Sequence, residues 1–274
     1  MRLSSSFRNP TSIRTTSPLT DDQIARVAPS IFASDAHESR SDRYAYIPTI
    51  EVLKSLRKEG FEPFMACQTR VRNVEKREHT KHMIRLRRAD RIMDKEANEI
   101  ILLNSHDGTS SYQMMAGVFR FVCANGLVCG DTMADFKVRH SGDVVNNVIE
   151  GAYKVVDQFK SVDEQRESMQ GIILRPQQQL ALAHAALAYR YDPKDGPAPI
   201  TADTVLRARR SEDRSPDLWT TFNRVQENLI KGGLPGRNAK GRPTTTRAVG
   251  GIDQDVKLNR ALWVLSEELR GLVA

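Results

Sequence analysis

The sequence predicts an α+β protein in which an antiparallel sheet of about five strands is covered by a long helix and followed by a helical C-terminal part. Three observations predict this fold. Short β-branched and aromatic runs occupy residues 61–140, a helical period begins after Gly142, and further helical segments follow from residue 177 onward. Grouping strands in one part and helices in another is typical of α+β folds, because parallel α/β sheets alternate the two.

Two helices are predicted ahead of the sheet. Thr20 and Gln23 have the spacing of a capping box, so a short helix is expected to begin there and to end by Pro29. A second helix is predicted over residues 49–58, and Gly60 supplies its C-terminal stop.

The predicted strands are separated by turn signals. The sequences His106-Asp107-Gly108 and Asn125-Gly126 mark two of these turns, since Asn, Asp and Gly tolerate the backbone angles that tight turns need. The strands are expected at residues 64–74, 80–88, 99–104, 111–124 and 135–139.

Helices are predicted for most of the remaining chain. Apolar residues recur at helical spacing over residues 144–159, with Asp143 as the expected N-cap. Ser215 and Pro216 are expected to cap and open a later helix that Gly232 stops. The further helices are predicted at residues 177–191, 201–210, 217–231 and 252–272.

The domain organisation follows from these elements. Residues 1–19 are predicted to be a flexible basic arm, residues 20–191 an α+β core domain, and residues 200–274 a helical region. The helical region contains a basic, glycine-rich loop over residues 232–250. The boundary is placed in the stretch 192–199, which is rich in proline and glycine.

Composition limits the compartment and the chemistry. With 39% hydrophobic and 27% charged residues, the composition predicts a globular chain. The sequence contains no run of 18 apolar residues, so no membrane-spanning helix is predicted. An odd number of cysteines (Cys67, Cys123 and Cys129) without metal-ligand spacing predicts neither a disulfide framework nor a zinc site. The sequence therefore predicts a cytoplasmic protein with no cofactor, no metal and no membrane contact, and it leaves the oligomeric state open.

Positive charge is concentrated in a few segments. The net charge is +7, yet residues 67–91 carry +6, residues 231–249 carry +5 and residues 1–19 carry +3, so the rest of the chain is acidic. A protein with clustered Lys and Arg on one face is a candidate for binding phosphate backbones.

Strand parity predicts how the first cationic segment is arranged. Alternate residues of a strand share a face, so Arg85 and Arg87 are expected to face solvent while His82, Ile84 and Leu86 face inward. For this strand face the alternative is that its cations are merely solvated or are paired with the acidic part of the protein. For the second cationic segment, residues 231–249, the alternative is a disordered linker between two helices. The predicted nucleic-acid-binding residues are Arg70, Arg72, Lys81, Arg85, Arg87, Arg88, Arg237, Lys240 and Arg242.

Polar residues also cluster in two segments, HESRSDRYAYIPT (37–49) and ILLNSHDGTSSYQ (101–113). His106 beside Asp107 could supply acid-base chemistry. The alternative, a hairpin turn whose side chains satisfy local backbone groups, is favoured. The residues of this polar motif, which has no assigned role, are His37, Arg40, Arg43, Asn104, His106, Asp107 and Asn125.

Several blocks carry a family resemblance. The chain resembles the YfjQ/YafZ/YubP-like family of unknown function in six blocks: the segment at 37–49, KHMIRLRR, ILLNSHDGTSSYQM, FRFVCANGLVCG, LWTTFNRVQENLIKGG and GIDQDVKLNRALW. That resemblance spans nearly the whole chain and implies a protein carried by prophages and conjugative plasmids. It implies no catalytic residues.

Three functions are therefore considered. The first is a non-enzymatic nucleic-acid-binding protein of a mobile genetic element, a phage or a plasmid, which would act on single-stranded DNA in transfer or recombination. The second is a protein-interaction factor that counteracts a host defence system through a host protein partner. The third is an enzyme that uses the turn at His106 and Asp107.

Overall fold

The computed structural model describes residues 12–40, 46–71, 75–88, 96–121, 125–129, 136–138, 144–192, 194 and 196–273. The chain divides into two compact units. Unit 1 comprises Met1–Phe121 and Asp131–Phe159, and unit 2 comprises Val122–Gly130 and Lys160–Ala274. The predicted α+β class is confirmed.

Unit 1 is built on an antiparallel sheet. The first seven strands of the chain are β1 Ser12–Arg14, β2 Phe61–Gln68, β3 His82–Arg88, β4 Glu96–Asn104, β5 Tyr112–Arg120, β6 Asn125–Val128 and β7 Phe136–Val138. Strand β6 belongs to unit 2, and the others belong to unit 1. The strands of unit 1 are hydrogen-bonded in the order β1-β2-β3-β4-β5, and β7 also pairs with β5.

The first strand lies in a segment that the sequence analysis assigned to a flexible arm. Ile13 is paired with Ala66 of β2, and the Leu19 amide donates to the Pro63 carbonyl oxygen at 2.7 Å. The register of β2 shifts between Pro63 and Met65, since proline has no N–H to give to the ladder. Ser12–Arg14 are therefore part of the sheet of unit 1, whereas residues 1–11 of the predicted arm lie outside the described residues.

The two helices of unit 1 that precede the sheet strands β2–β5 form as predicted. Helix α1, Asp21–Val27, begins with the capping box, in which the Gln23 amide donates to Thr20 Oγ1 and the Thr20 amide donates to Gln23 Oε1. Helix α2 spans Thr49–Lys58, and Gly60 follows it with a φ of +84°, a conformation that favours glycine.

The end of the sheet differs from the prediction at its expected Asn-Gly turn. The structure places Asn125 and Gly126 in β6, so the prediction that they form a turn is wrong; a favoured turn dipeptide is overridden when its backbone is held as a strand. Asp143, the predicted N-cap, lies outside the described residues. The helix it was to cap, α3, spans Val144–Gly171 and extends well beyond the predicted Phe159.

Unit 2 is mainly helical. Its helices are the C-terminal part of α3, α4 Pro176–Arg190, α5 Ala202–Val205, α6 Leu218–Lys231 and α7 Ile252–Val273. The helix predicted over residues 201–210 is much longer than the one observed there, because α5 ends at Val205. The side chain of Asn228 donates from Nδ2 to the carbonyl oxygens of Val205 and Arg207, which a continuing helix would use for its own hydrogen bonds.

Helix α6 is the centre of unit 2. Every residue from Leu218 to Leu229 is buried, and Trp219 and Phe222 pack with Trp263 of α7. Its N-cap is Asp217, whose carboxylate accepts from the Thr220 amide at 2.7 Å, and not Ser215 as predicted. The predicted stop at Gly232 is confirmed, since that residue is the C-cap with a φ of +60°.

The glycine-rich loop predicted over 232–250 contains a two-stranded hairpin. Strand β8, Pro235–Arg237, pairs antiparallel with β9, Pro243–Thr245. The hairpin is joined to the rest of unit 2 by the Arg237 amide, which donates to the Pro199 carbonyl oxygen at 2.8 Å. None of the helices in the described part of the chain is long and apolar enough to span a membrane.

The contact of this hairpin with Pro199 and Ile200 leaves no room for a side chain at Gly236. A Cβ there would overlap the Pro199 carbonyl oxygen and lie 2.8 Å from Ile200 Cγ2. We therefore expect Gly236→Ala to lower the free energy of unfolding by about 1–3 kcal/mol in urea titrations, as overpacked sites do. Gly250→Ala is the control, because nothing lies within 4 Å of a Cβ there. Equal stability of the two variants would contradict the close contact.

Candidate functional site

Two of the arginines predicted to face solvent are buried in unit 1. The side chains of Arg85 and Arg87 are 1% and 0% exposed. Both pair with Glu99 of the neighbouring strand: Arg85 Nη1 lies 3.0 Å from Glu99 Oε2, and Arg87 Nε lies 2.7 Å from Glu99 Oε1. The predicted parity is right, since both arginines reach one carboxylate, but the predicted exposure is wrong.

Aromatic rings complete the surroundings of Arg87. Its guanidinium carbon lies 3.5 Å from the ring centroid of Phe119, 4.7 Å from that of Phe64 and 5.3 Å from that of Phe121. Among the described residues, Arg87 Nη1 and Nη2 have no hydrogen-bond partner. Ring faces attract cations, so they offset part of the cost of burying this charge.

The charge of Arg87 is subject to opposed effects. Burial lowers the pKa of the Arg87 guanidinium, and the charge and hydrogen bond of Glu99 act in the opposite direction. The arginine is thus held inside unit 1 by its counter-ion, as a core residue that is unavailable to a phosphate backbone.

The other predicted cations of this segment do not share one face. Arg70 follows β2 and Lys81 precedes β3, whereas Arg88 ends β3 at the opposite end of that strand. Arg70 and Arg88 are exposed and Lys81 is half-buried. Arg72 lies outside the described residues. The expected continuous basic face is therefore absent from the described part of β2 and β3.

A buried polar network surrounds His82, which is fully buried on β3. Thr49 Oγ1 lies 2.9 Å from its Nε2, and Ser30 Oγ and the Thr80 carbonyl oxygen lie 3.0 and 3.1 Å from its Nδ1. Asn104 Nδ2 donates to Thr49 Oγ1 at 3.0 Å. The network thus joins β3 and β4 to the start of α2 and to the short 3₁₀ helix Pro29–Phe32, which contains Ser30.

The partners fix the proton positions in this network. A carbonyl oxygen only accepts, so Nδ1 of His82 carries the hydrogen and donates toward Thr80. Nε2 then accepts from Thr49, and Ser30 Oγ is left to donate to Gln68 Oε1 at 2.9 Å. Burial, and then the nearby His106, lower the pKa of His82 to about 3, so the imidazole is neutral.

Two of the predicted polar residues lie beside this network. The His106 ring is buried and its centroid is 5.1 Å from that of His82 and 4.8 Å from that of Tyr46. The His37 amide donates to the His106 carbonyl oxygen, and the His37 ring lies edge-on to that of His79 at 5.3 Å. The structure therefore brings both predicted polar segments together.

These histidines do not form a metal site. Among the described residues, no group of three or more His, Cys, Asp or Glu side chains is arranged to hold a metal ion. His82, Ser30 and Thr49 are not among the predicted site residues. The available signal was a histidine on the strand face shared with Ile84 and Leu86, because an inward histidine needs buried partners.

The segment at His106 and Asp107 has the hydrogen bonds expected of a turn whose side chains satisfy local backbone groups. Asp107 Oδ1 accepts from the amide of Thr109 at 3.0 Å and from its hydroxyl at 2.6 Å. Gly108 has a φ of +76°, and a Cβ there would overlap the Arg40 guanidinium. The side chains of Arg43 and Asn125 lie outside the described part of the chain.

The second cationic segment is exposed and ordered by its own hydrogen bonds. Arg237, Lys240 and Arg242 are all exposed at the tip of the β8–β9 hairpin. Asn238 Oδ1 accepts from the amides of Lys240 and Arg242, both at 3.0 Å, and Arg237 Nη1 donates to the Gly241 carbonyl oxygen at 2.8 Å. Residues 232–252 contain no Asp or Glu. We call Arg237, Lys240 and Arg242 the cationic tip.

Comparison with known proteins shows close relatives. Residues 36–263 match the family described as "Domain of unknown function (DUF932)". The chain is 60% identical to the UPF0380 protein YfjQ and 59% identical to the UPF0380 protein YafZ, both of Escherichia coli strain K12. Each match covers 98% of this chain and 97% of the relative. No solved structure matches the chain.

The buried carboxylate of Glu99 can be tested directly. Glu99→Gln removes the counter-charge of two buried arginines, so we expect it to lower the free energy of unfolding by about 3–5 kcal/mol. Urea titration followed by circular dichroism measures the change. Glu51→Gln is the control, because Glu51 pairs with Lys54 on the exposed face of α2 and such pairs contribute about 0–1 kcal/mol. A loss as small as that of the control would contradict the assignment.

Buried His82 predicts a pH dependence of stability. Its pKa is about 3 in the folded protein against an ordinary value of 6.5, so its contribution is complete above pH 6.5 and is lost as the pH falls toward 3. The free energy of unfolding should fall by about 2 kcal/mol more between pH 7.5 and pH 5 than it does in His82→Gln.

Urea titrations at a series of pH values measure this difference. The same substitution at the exposed His184 is the control and should keep the pH dependence of the unsubstituted protein. An identical pH dependence of His82→Gln and the unsubstituted protein would show that His82 is not buried in its neutral form.

Proposed function

Because the chain belongs to the DUF932 family, whose function is unknown, we propose a function from its own residues: it binds nucleic acid through the cationic tip. The observation that carries this proposal is the exposure of Arg237, Lys240 and Arg242 on a hydrogen-bonded hairpin within a segment free of acidic residues. Exposed guanidinium and ammonium groups bind phosphate oxygens and release the counter-ions condensed on the strand.

The backbone of the hairpin supports this role. Its tip is held by Asn238, and its stem is joined to Pro199, so the three cations are presented by an ordered loop. Less side-chain and loop ordering is then needed on binding than a flexible segment would require. Arg247, which follows β9, is also exposed and extends the positive surface beyond the cationic tip.

The arrangement supports contact with the phosphate backbone more than reading of base sequence in a duplex. A recognition helix enters the major groove with exposed side chains, whereas α6, the helix directly before the hairpin, is buried along Leu218–Leu229. A cationic loop alone contacts phosphates, which carry no sequence information. Little sequence preference and strong salt dependence are therefore expected.

The biological setting is a further part of the proposal. The resemblance of the sequence to proteins of prophages and conjugative plasmids supports a mobile genetic element as the source of the nucleic acid. Single-stranded DNA in transfer or recombination remains the proposed substrate. Arg85 and Arg87 are no longer part of the proposed surface, since they are buried against Glu99.

The test removes the three charges of the cationic tip. Arg237→Gln, Lys240→Gln and Arg242→Gln in one variant should weaken binding to single-stranded DNA on the order of tenfold or more. The slope of log K against log salt should fall by about 2, because each lost phosphate contact contributes about 0.7. Fluorescence anisotropy across a salt series measures both quantities.

A matched variant removes three exposed charges elsewhere. Lys54→Gln, Lys154→Gln and Lys160→Gln change the net charge equally, and each of these lysines has a side chain at least 53% exposed and pairs with a glutamate on its own helix. Equal binding by the two triple variants would contradict the proposal. If the unsubstituted protein retains no nucleic acid but retains a stoichiometric protein after nuclease treatment, the protein-interaction function replaces it.

A further inference from the structure

A cavity lies beside the hairpin in unit 2. Its volume is about 410 Å³, within the range of about 300–1,000 Å³ that is usual for ligand pockets. One side is formed by His184 and Leu187 in the C-terminal half of α4 and by Tyr191, the C-cap residue that follows it. The other side is formed by the segment from Gly196 to Ala202. Aliphatic side chains and one aromatic ring thus make up most of its lining.

The wall of this cavity and the hairpin are joined. Pro199, whose carbonyl oxygen accepts from the Arg237 amide, lies between the lining residues Ala198 and Ile200. A Cβ on Gly196 would lie 3.5 Å from Cβ of Ala239 in the hairpin tip. The cavity and the cationic tip therefore share one structural element, so a ligand that reaches both meets a fixed geometry.

We propose that this cavity binds an unpaired base of the nucleic acid whose phosphates lie on the cationic tip. This inference rests on the proposed function and deepens it, because it assigns a site to an unpaired base of the single strand in addition to the contact with its phosphates. The flat, apolar face of a base matches the aliphatic walls and the ring of Tyr191, and the exposed imidazole of His184 can hydrogen-bond to a base edge.

Charge complementarity selects this occupant over an uncharged apolar one. The hairpin that carries the positive residues is hydrogen-bonded to the loop that forms one wall of the cavity, and residues 232–252 contain no acidic residue. A second guanidinium, that of Arg190, lies 5.2 Å from the ring centroid of Tyr191. A ligand with a flat apolar part and an attached anionic chain satisfies both surfaces, as a nucleotide within a strand does.

Single strands follow from the same geometry. Bases of a duplex are stacked on both faces and present only their edges in the grooves, so they cannot enter a cavity without being unpaired. In a single strand the base is available at little cost, and stacking on an aromatic side chain tolerates any base. The cavity therefore predicts preference for single over double strands with weak preference among sequences.

The first experiment alters the ligand and leaves the protein intact. Binding of the unsubstituted protein is compared between a single strand and a strand of the same length with abasic sites throughout. The abasic strand should bind about 5- to 150-fold more weakly for one lost stacked base, with an unchanged salt slope because the phosphates are the same.

The second experiment alters the cavity. Tyr191→Leu should weaken binding to the normal strand by a similar factor while leaving binding to the abasic strand unchanged, and Tyr191→Phe should restore binding because the ring is kept. Tyr189→Leu is the control, since Tyr189 is an exposed tyrosine two positions earlier, near the end of α4, that does not line this cavity. Circular dichroism confirms that each variant is folded.

The outcomes separate this inference from the function on which it rests. Equal binding of normal and abasic strands, with both lost in the triple variant of the cationic tip, would overturn the base site and leave the phosphate contact standing. Equal loss in Tyr191→Leu and Tyr189→Leu would also overturn it. Absence of any binding by the unsubstituted protein would instead overturn the proposed function itself.

Discussion

Two guanidinium groups share a single carboxylate inside unit 1, and this constraint organises the sheet around it. Arg85 and Arg87 stand on β3 and Glu99 on β4, so the charges join adjacent strands on one face of the sheet. The aromatic rings near Arg87 add to the stabilisation that Glu99 gives its guanidinium. Strands paired in another register would leave charges without partners in a medium that solvates them poorly.

This use of arginine changes how the charge of the protein is interpreted. The sequence concentrates cations in two segments, and a part of the larger segment is consumed within the core. The smaller one, on the β8–β9 hairpin, retains three exposed cations and is carried by helical unit 2. Surface charge, and with it any attraction to anionic polymers, therefore has to be counted from exposed residues, because total charge includes groups that never meet solvent.

Local signals made part of this structure predictable. The capping box at Thr20, the extent of α2 and the stop at Gly232 follow from neighbouring residues, whose hydrogen bonds are decided within a few positions of the chain. The burial of Arg85 depended on a carboxylate 14 positions away, and parity alone does not say which face of a strand will be covered. The short α5 likewise depends on Asn228, which is distant in sequence but takes over its last carbonyl groups.

The candidate site divides along the same line. The sequence identified the cations at 237–242, yet their arrangement in a hairpin depends on a glycine fitted against Pro199, a contact between separate segments. The hydrogen bonds around His82 have a further consequence for variation in the family. Asn104 donates to Thr49, Thr49 donates to His82 and Ser30 donates to Gln68, so each of these links has a fixed donor and a fixed acceptor. Loss of one donor or acceptor leaves the adjacent buried polar groups without a hydrogen-bond partner, so these five positions should co-vary as a set when relatives diverge.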